Sequence, residues 1–472
     1  MQAPTAPAAH SDQQHDDPSP AEAPQPAGRP VVAVLAVGTG LVALLGAALA
    51  LGSGGAADQP AGLARAGALV EWAGPVVTLL GRIAAVGTIG ALLFAGFLGP
   101  GRGGALAPQA RRAVGAASRW ALTWAAATAL GGLLTLSRLV GVAPLSLPWS
   151  SVQVFLGDTA AGRAVVLVVV GTVVLALAAR RCSGVLGARL LLAGALAAVV
   201  VPTVLTGHSS SADDHLVAVT TLAVHVAAAS LWVGGLAALL AHGRHDAAAA
   251  SRFSRVALGC FLATGASGVL AAWLVLSGTG AVVDALGTGY GWLLVGKTLG
   301  LALLGVLGWQ HRRRTLPQLQ TGRPHAFRRF AVGELLVMLA TVALAVALAA
   351  SPPPAAATPP AVGTSAPTGT ANAPAPAAAP ADPMAGHDHG DLSVGVLVDA
   401  TRFHVAGPVA AGSRVTVFNG TDQDVTLTAA DGSFDAEAPA GSLITFAAPA
   451  EPGEYAFSSR HSAEFTDVLV VQ

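Results

Sequence analysis

The sequence predicts a mainly α, polytopic transmembrane bundle of about nine helices, followed by a small extracytoplasmic all-β sandwich. Three observations predict it. Of 472 residues 53% are hydrophobic and only 11% charged, at a mean hydropathy of +0.63, where soluble domains carry roughly 25% charged residues. Apolar runs long enough to cross a hydrocarbon layer of ~30 Å recur through the first 350 residues. From Leu392 onward the pattern changes to short alternating runs such as "RVTVFN", "DVTLTA" and "DVLVV", broken by "NGTD", "ADGS" and "EPGE".

Residues 1–30 are Pro, Ala, Gln and Asp with almost no large apolar side chains, too little to bury, and are expected to be a disordered cytoplasmic tail. No basic segment followed by a short apolar core and a small-residue cleavage site opens the chain, so the first apolar run reads as an anchor. Candidate spans follow at 31–52, 72–98, 113–141, 164–180, 186–206, 215–241, 255–277, 288–310 and 328–350. They divide into N-terminal membrane helices over 31–206 and a second membrane domain over 207–350.

Arginines cluster in alternate loops: Arg102, Arg111 and Arg112; Arg180, Arg181 and Arg189; Arg244, Arg252 and Arg255; Arg312, Arg313, Arg314, Arg323, Arg328 and Arg329. The positive-inside rule then puts the N-terminus in the cytoplasm and the C-terminal part outside a plasma (inner) membrane. The arginines serve that topology, and no nucleic-acid partner is expected. Cys182 and Cys260 form neither a disulfide framework nor a CxxC motif. Residues 351–390, dominated by proline and alanine, read as a semi-extended tether with a histidine-rich end, and 391–472 as the sandwich.

The stretch from His215 to Gly235 is apolar almost throughout, yet carries His225 some 15 Å below its start, near the midplane of a bilayer. An imidazole at that depth needs a partner or a function; the plain alternative is a core histidine hydrogen-bonded to a backbone carbonyl of the next helix. Trp232, seven residues on, projects from nearly the same face, and Gly234 and Gly235 let a neighbouring helix approach. At the outer end of the fifth span, His208 is followed by Asp213, Asp214 and His215, imidazoles and carboxylates of the kind that ligate divalent transition metals. A polar loop of this kind is more often merely solvated. His387 and His389 in "MAGHDHGD" form a second, flexible candidate site.

Lys297 is the only lysine in the chain and falls inside a span, seven residues after Tyr290 and at nearly the depth of His225. A charge at mid-helix costs ~2.5–3.5 kcal/mol even after relaxation, so it calls for a partner. Glu334, entering from the cytoplasmic side, is the candidate for a register-setting ion pair; the alternative is an ammonium that gates a cation path. Arg82 is a third deep charge, roughly ten residues below an outer helix end. Three such groups at similar depth also repel a cation. No GxxxxGK[ST] loop is present, which excludes ATP-driven pumping within this chain, and no enzymatic activity is expected.

The segments "RFSRVAL", "TGASGVLAAW", "TGYGWLLVGKTLGLALLG" and "RRFAVGELLVMLATVALA" between Phe253 and Ala350 resemble the copper-resistance D (CopD) family, and "GHSSS…HLVAV…VHVAAASLWVGGL" resembles the segment that precedes them there. The resemblance spans about 200–350 and carries Tyr290, Gly291, Lys297 and Glu334 as pattern positions, with His208, His225 and Trp232 as candidates for a metal path. It implies an inner-membrane protein of copper handling with copper ion, Cu(I) or Cu(II), as its metal, and a CopC-like extracytoplasmic copper-binding protein as a partner beside membrane lipid. The C-terminal part resembles a cupredoxin, with Ser458 where the ligand cysteine would fall, His461 retained, Glu464 about where methionine would be, and Val425 at the first histidine position. Without a thiolate no blue-copper site is expected. The sequence therefore reads as copper uptake or copper resistance; the rivals are a membrane redox protein with haem on His208 and His225, and a copper sensor or scaffold that transports nothing.

Overall fold

The computed structural model describes residues 29–52, 66–101, 103–205, 212–243, 246–277, 286–315, 324–351, 395–399, 402–461 and 465–472. Its helices are α1 (Arg29–Gly52), α2 (Ala68–Leu93), α3 (Pro108–Val140), α4 (Trp149–Asp158), α5 (Ala160–Arg181), α6 (Val185–Leu205), α7 (Ala212–His242), α8 (Ala247–Ser277), α9 (Gly289–Gln310) and α10 (Pro324–Ala349). Among the described residues nine of these, all but the ten-residue α4, are long and apolar enough to cross a membrane, one for each apolar run of the sequence. The protein is a multi-pass membrane protein.

Local chemistry sets the helix ends. Pro108 opens α3, where a missing N–H costs nothing. The hydroxyls of Thr159 and Thr288 cap α5 and α9 by accepting from the amides of Gly162 at 2.9 Å and Gly291 at 3.1 Å. Gly141, at φ +71°, ends α3 in the left-handed conformation. Exposed Trp72, Trp273 and Trp292 ring the arginine-poor end of the bundle and Trp309 the other, as residues that favour the headgroup region do.

Helix α2 packs along α3, α6 and α7. Its contact with α7 is a glycine pair: a Cβ on Gly90 would overlap the Gly234 carbonyl, and one on Gly234 would overlap that of Val86. Gly235 admits the Phe253 ring of α8, which a Cβ there would meet at 2.6 Å. Small residues at these crossings let backbones approach where lipid offers no hydrophobic drive. At the arginine-rich end α2 finishes in a π-turn over Phe94–Leu98, and wide turns leave carbonyls without their usual partners. Arg189 from α6 donates through Nε to Gly96 O at 3.0 Å, and Arg252 from α8 to Leu98 O at 2.8 Å. These arginines, expected as topology signals, also complete the backbone hydrogen bonding of a neighbour.

The C-terminal strands are β1 (Val396–Val398), β2 (Phe403–Val405), β3 (Arg414–Asn419), β4 (Val425–Ala429), β5 (Asp435–Ala438), β6 (Leu443–Ala447), β7 (Gly453–Ser458) and β8 (Thr466–Val471). They form two four-stranded sheets, β2-β1-β3-β6 and β5-β4-β7-β8. Val396, Val398, Val417, Leu427, Phe457 and Leu469 fill the core between them.

Alternation along the first sheet fails in an informative way, because β1 is buried at every position. Leu397 is in register with Phe418, and Phe418 with Leu443, so the three make one apolar row on the face away from the core. That row packs on Leu136, Val140 and Phe155 of the membrane domain. Helix α4 is too short to be a span and was not expected from the sequence. It supplies the platform: Ser151 Oγ accepts from Leu443 N at 3.4 Å, and Asp158 accepts from Thr445 Oγ1 at 3.3 Å and pairs with Arg414 at 2.7 Å. The sandwich therefore docks over the ends of α3, α4 and α5 at the arginine-poor end, the end at which α10 also finishes.

Candidate functional site

His225, Tyr290 and Lys297 line one cavity of about 110 Å³. Helix α7 brings His225 and Leu222; α9 brings Tyr290, Leu294 and Lys297 from successive turns of one face; α10 closes the side with Leu348. Small residues of α8, including Gly268, leave the space open, and the His225 ring lies against Gly268, where a Cβ would meet it at 3.4 Å.

The imidazole is oriented. Ser267 Oγ lies 3.0 Å from His225 Nδ1 and donates its own proton to Ala263 O at 2.6 Å. The hydroxyl is thereby left as an acceptor, so the hydrogen-bond network assigns the neutral ring its proton on Nδ1, and the ring also has a backbone hydrogen bond to Thr264 of α8. That is the arrangement of a metal-ligating histidine held by an outer partner. Sequence reasoning missed Ser267, although a serine in the middle of an apolar span is itself a signal.

Lys297 has no ion pair among the described residues. The charged group that acts on it is a second cation, Arg82, and Lys297 in turn acts on His225. Glu334, expected as its partner, lines another cavity, of about 220 Å³, with Trp232, Phe261, Trp309, His311 and Arg312. The reason is reach. Leu348 of α10 touches the Lys297 cavity, and Glu334 is fourteen residues before it, some 21 Å along the helix. Arg312 instead supplies the positive charge near Glu334 while donating to Ser254 O. Trp232 stacks edge-on against Phe261 at 5.5 Å, and its buried indole N–H has no hydrogen-bond partner among the described residues.

The remaining sequence candidates are placed as follows. His208, His387 and His389 lie outside the described residues; Asp213, Asp214 and His215 fall in the first turn of α7 and their side chains lie outside what is described. Among the described residues no three His, Cys, Asp or Glu gather as a metal-binding group. In the sandwich Val425 is buried in the core, and His461 is exposed with Nδ1 donating to Asp424 O at 2.9 Å. Ser458 ends β7, and Glu464 lies outside the described residues. A buried His404–Asp399 contact at 2.7 Å, which the sequence analysis passes over, joins β2 to the end of β1.

No curated protein and no solved structure matches the chain significantly. A family model does: residues 247–348 match Copper resistance protein D, a stretch that takes in α8, α9 and α10 and so holds Ser267, Tyr290, Lys297 and Glu334, while His225 precedes it on α7. Over residues 247–348, about a fifth of its length, the chain is similar to the copper resistance protein D family.

Proposed function

We propose that this protein passes copper across the plasma membrane through the space between α7, α8, α9 and α10, with its N-terminus in the cytoplasm and the sandwich outside. The family match supports the general reading, since it indicates a membrane protein of copper resistance or homeostasis. The observation that carries the specific one is the His225 ring, held by Ser267 on the wall of a cavity that it shares with the family-matched helices. Neutral imidazole is a good ligand for copper. Asp213, Asp214 and His215 are the candidate collectors on the outer side, with His208 beside them in sequence and the His387/His389 segment of the tether as a second collector. A CopC-like copper-binding protein is the candidate external donor.

The test is cellular copper at fixed external copper, compared between cells with the chain, without it, and with His225→Ala at equal membrane abundance. Uptake predicts more copper with the intact chain and a return to background in the variant; efflux predicts the reverse. Equal copper in all three strains overturns transport and leaves the sensor or scaffold. A Soret band in the purified protein would favour haem on the same histidine.

A further inference from the structure

The seam between α7, α8, α9 and α10 holds a second cavity, of about 220 Å³, on the arginine-rich side of the His225 cavity. Trp232 lies seven residues beyond His225 on α7, Phe261 seven before Gly268 on α8, and Leu304 seven beyond Lys297 on α9, so two helical turns, about 10 Å, separate the two spaces. Trp232 and Phe261 meet edge-on at 5.5 Å and close the second cavity toward His225. Its other end carries His311 and Arg312, where the run Arg312, Arg313 and Arg314 begins. Glu334 sits on its wall, five residues or about 7.5 Å further in than Arg329 on α10, and is 6% exposed. The carboxyl group makes no ion pair and no side-chain hydrogen bond among the described residues, and the Arg312 guanidinium on the same cavity donates to Ser254 O. The lining stretches of α7 and α8 carry no ionisable group, so those facing Glu334 are His311 and Arg312. The other helices packed on α10, α1 and α2, carry Arg29, Glu71 and Arg82, none of which lines the cavity.

We propose that Glu334 is a proton-exchange site served by water from the arginine-rich end. A carboxylate buried without a partner costs far more than the neutral acid, so in the closed cavity the group holds a proton. Ser254, His311, Arg312 and Glu334 supply the polar partners that water needs, in a space large enough for several molecules. Through that water the O–H bond of the Glu334 acid breaks, the carboxylate keeps the electron pair and the proton passes to solvent at the arginine-rich end; the reverse step restores the acid. The site itself goes beyond the copper reading and does not rest on it. Its use does: under that reading, release of this proton offsets the charge of a cation arriving in the cavity and ties passage to a proton gradient, in a chain with no nucleotide-binding loop.

The experiment is infrared spectroscopy of the purified full chain in detergent, without copper, at about pH 6, where exposed glutamates are ionised. We expect the carbonyl band of a protonated carboxyl group in the intact chain, its loss in Glu334→Gln, and its shift when the solvent is changed to heavy water. Lys297→Met, on the other cavity, should leave the band unchanged. Gly308 lines the second cavity at a point where an added Cβ meets nothing within 4 Å, so Gly308→Leu should keep the band and slow the heavy-water shift by filling the space. That variant keeps the carboxyl group, so it reads the water path even if Glu334→Gln fails to fold. A band that is absent at this pH, unchanged in Glu334→Gln or fixed in heavy water overturns the proposal, as does an undiminished rate of shift in Gly308→Leu. Copper accumulation in cells is measured separately, so failure of proton exchange and failure of transport are told apart.

Discussion

Ser267 Oγ stands 3.0 Å from Nδ1 of His225 across the α7–α8 contact, and its proton is already given to Ala263 O. The serine can therefore only accept from the ring, which fixes the imidazole on the wall of the cavity. Removing an outer hydrogen-bond partner of a metal-binding histidine typically costs 10–100-fold in affinity or activity. We predict that Ser267→Ala lowers copper-dependent accumulation about tenfold at normal membrane abundance, and that His225→Ala abolishes it. Wild-type accumulation in Ser267→Ala would show that ring orientation is immaterial.

Lys297 and Glu334 line different cavities, so their substitutions should act independently. For sites that share no contact, free-energy effects add within about 0.5 kcal/mol, whereas breaking a buried ion pair costs about 3–5 kcal/mol that the double neutral variant recovers. We expect Lys297→Met with Glu334→Gln to be as impaired as the sum of the single variants in a double-mutant cycle on unfolding. Rescue in the double variant would restore the ion-pair reading.

Docking of the sandwich rests on its apolar row rather than on its ion pair. Phe418 is 4% exposed, and truncating a buried phenylalanine to alanine costs about 3–5 kcal/mol. Arg414 and Asp158 form an exposed pair, which contributes about 0–1 kcal/mol. Phe418→Ala should speed amide exchange in α4 and at Leu443 while the core strands β4 and β8 stay protected; Arg414→Ala should change neither. Exchange that rises throughout the sandwich would mean Phe418 holds the sandwich together rather than docking it.

Cu(II) added to the full chain should give no intense blue band, because the strand end that would carry the thiolate carries Ser458, and Val425 is packed into the core. Absorption measured before and after copper addition decides this, and a strong band near that of blue-copper proteins would place the ligands elsewhere.

Cys182, between α5 and α6 at the arginine-rich end, has its thiol pushed up from the ordinary cysteine range by burial. The native thiol thus keeps its proton to higher pH than the unfolded one, so its contribution to stability is present at neutral pH and lost as pH rises past the unfolded range. Alkylation in intact membranes should be slower than that of a free thiol, and its rise with pH should come later. A rate matching free cysteine at pH 8 would contradict this.

The sequence by itself determined the nine spans, the change to strands after the tether, and the common depth of His225 and Lys297. All three are one-dimensional properties: hydropathy over a span length, a two-residue period, and a rise of about 1.5 Å per residue. Lateral neighbours are not of that kind, because they depend on the order and rotation in which helices pack. Tertiary structure alone decided that Ser267 holds His225, that Glu334 belongs to a different cavity from that of Lys297, and that Leu397, Phe418 and Leu443 face α4 and its neighbours rather than water. The strands were legible, but the second apolar face of the first sheet had no visible partner until the ten-residue α4, too short to register as a span, was seen to cover it.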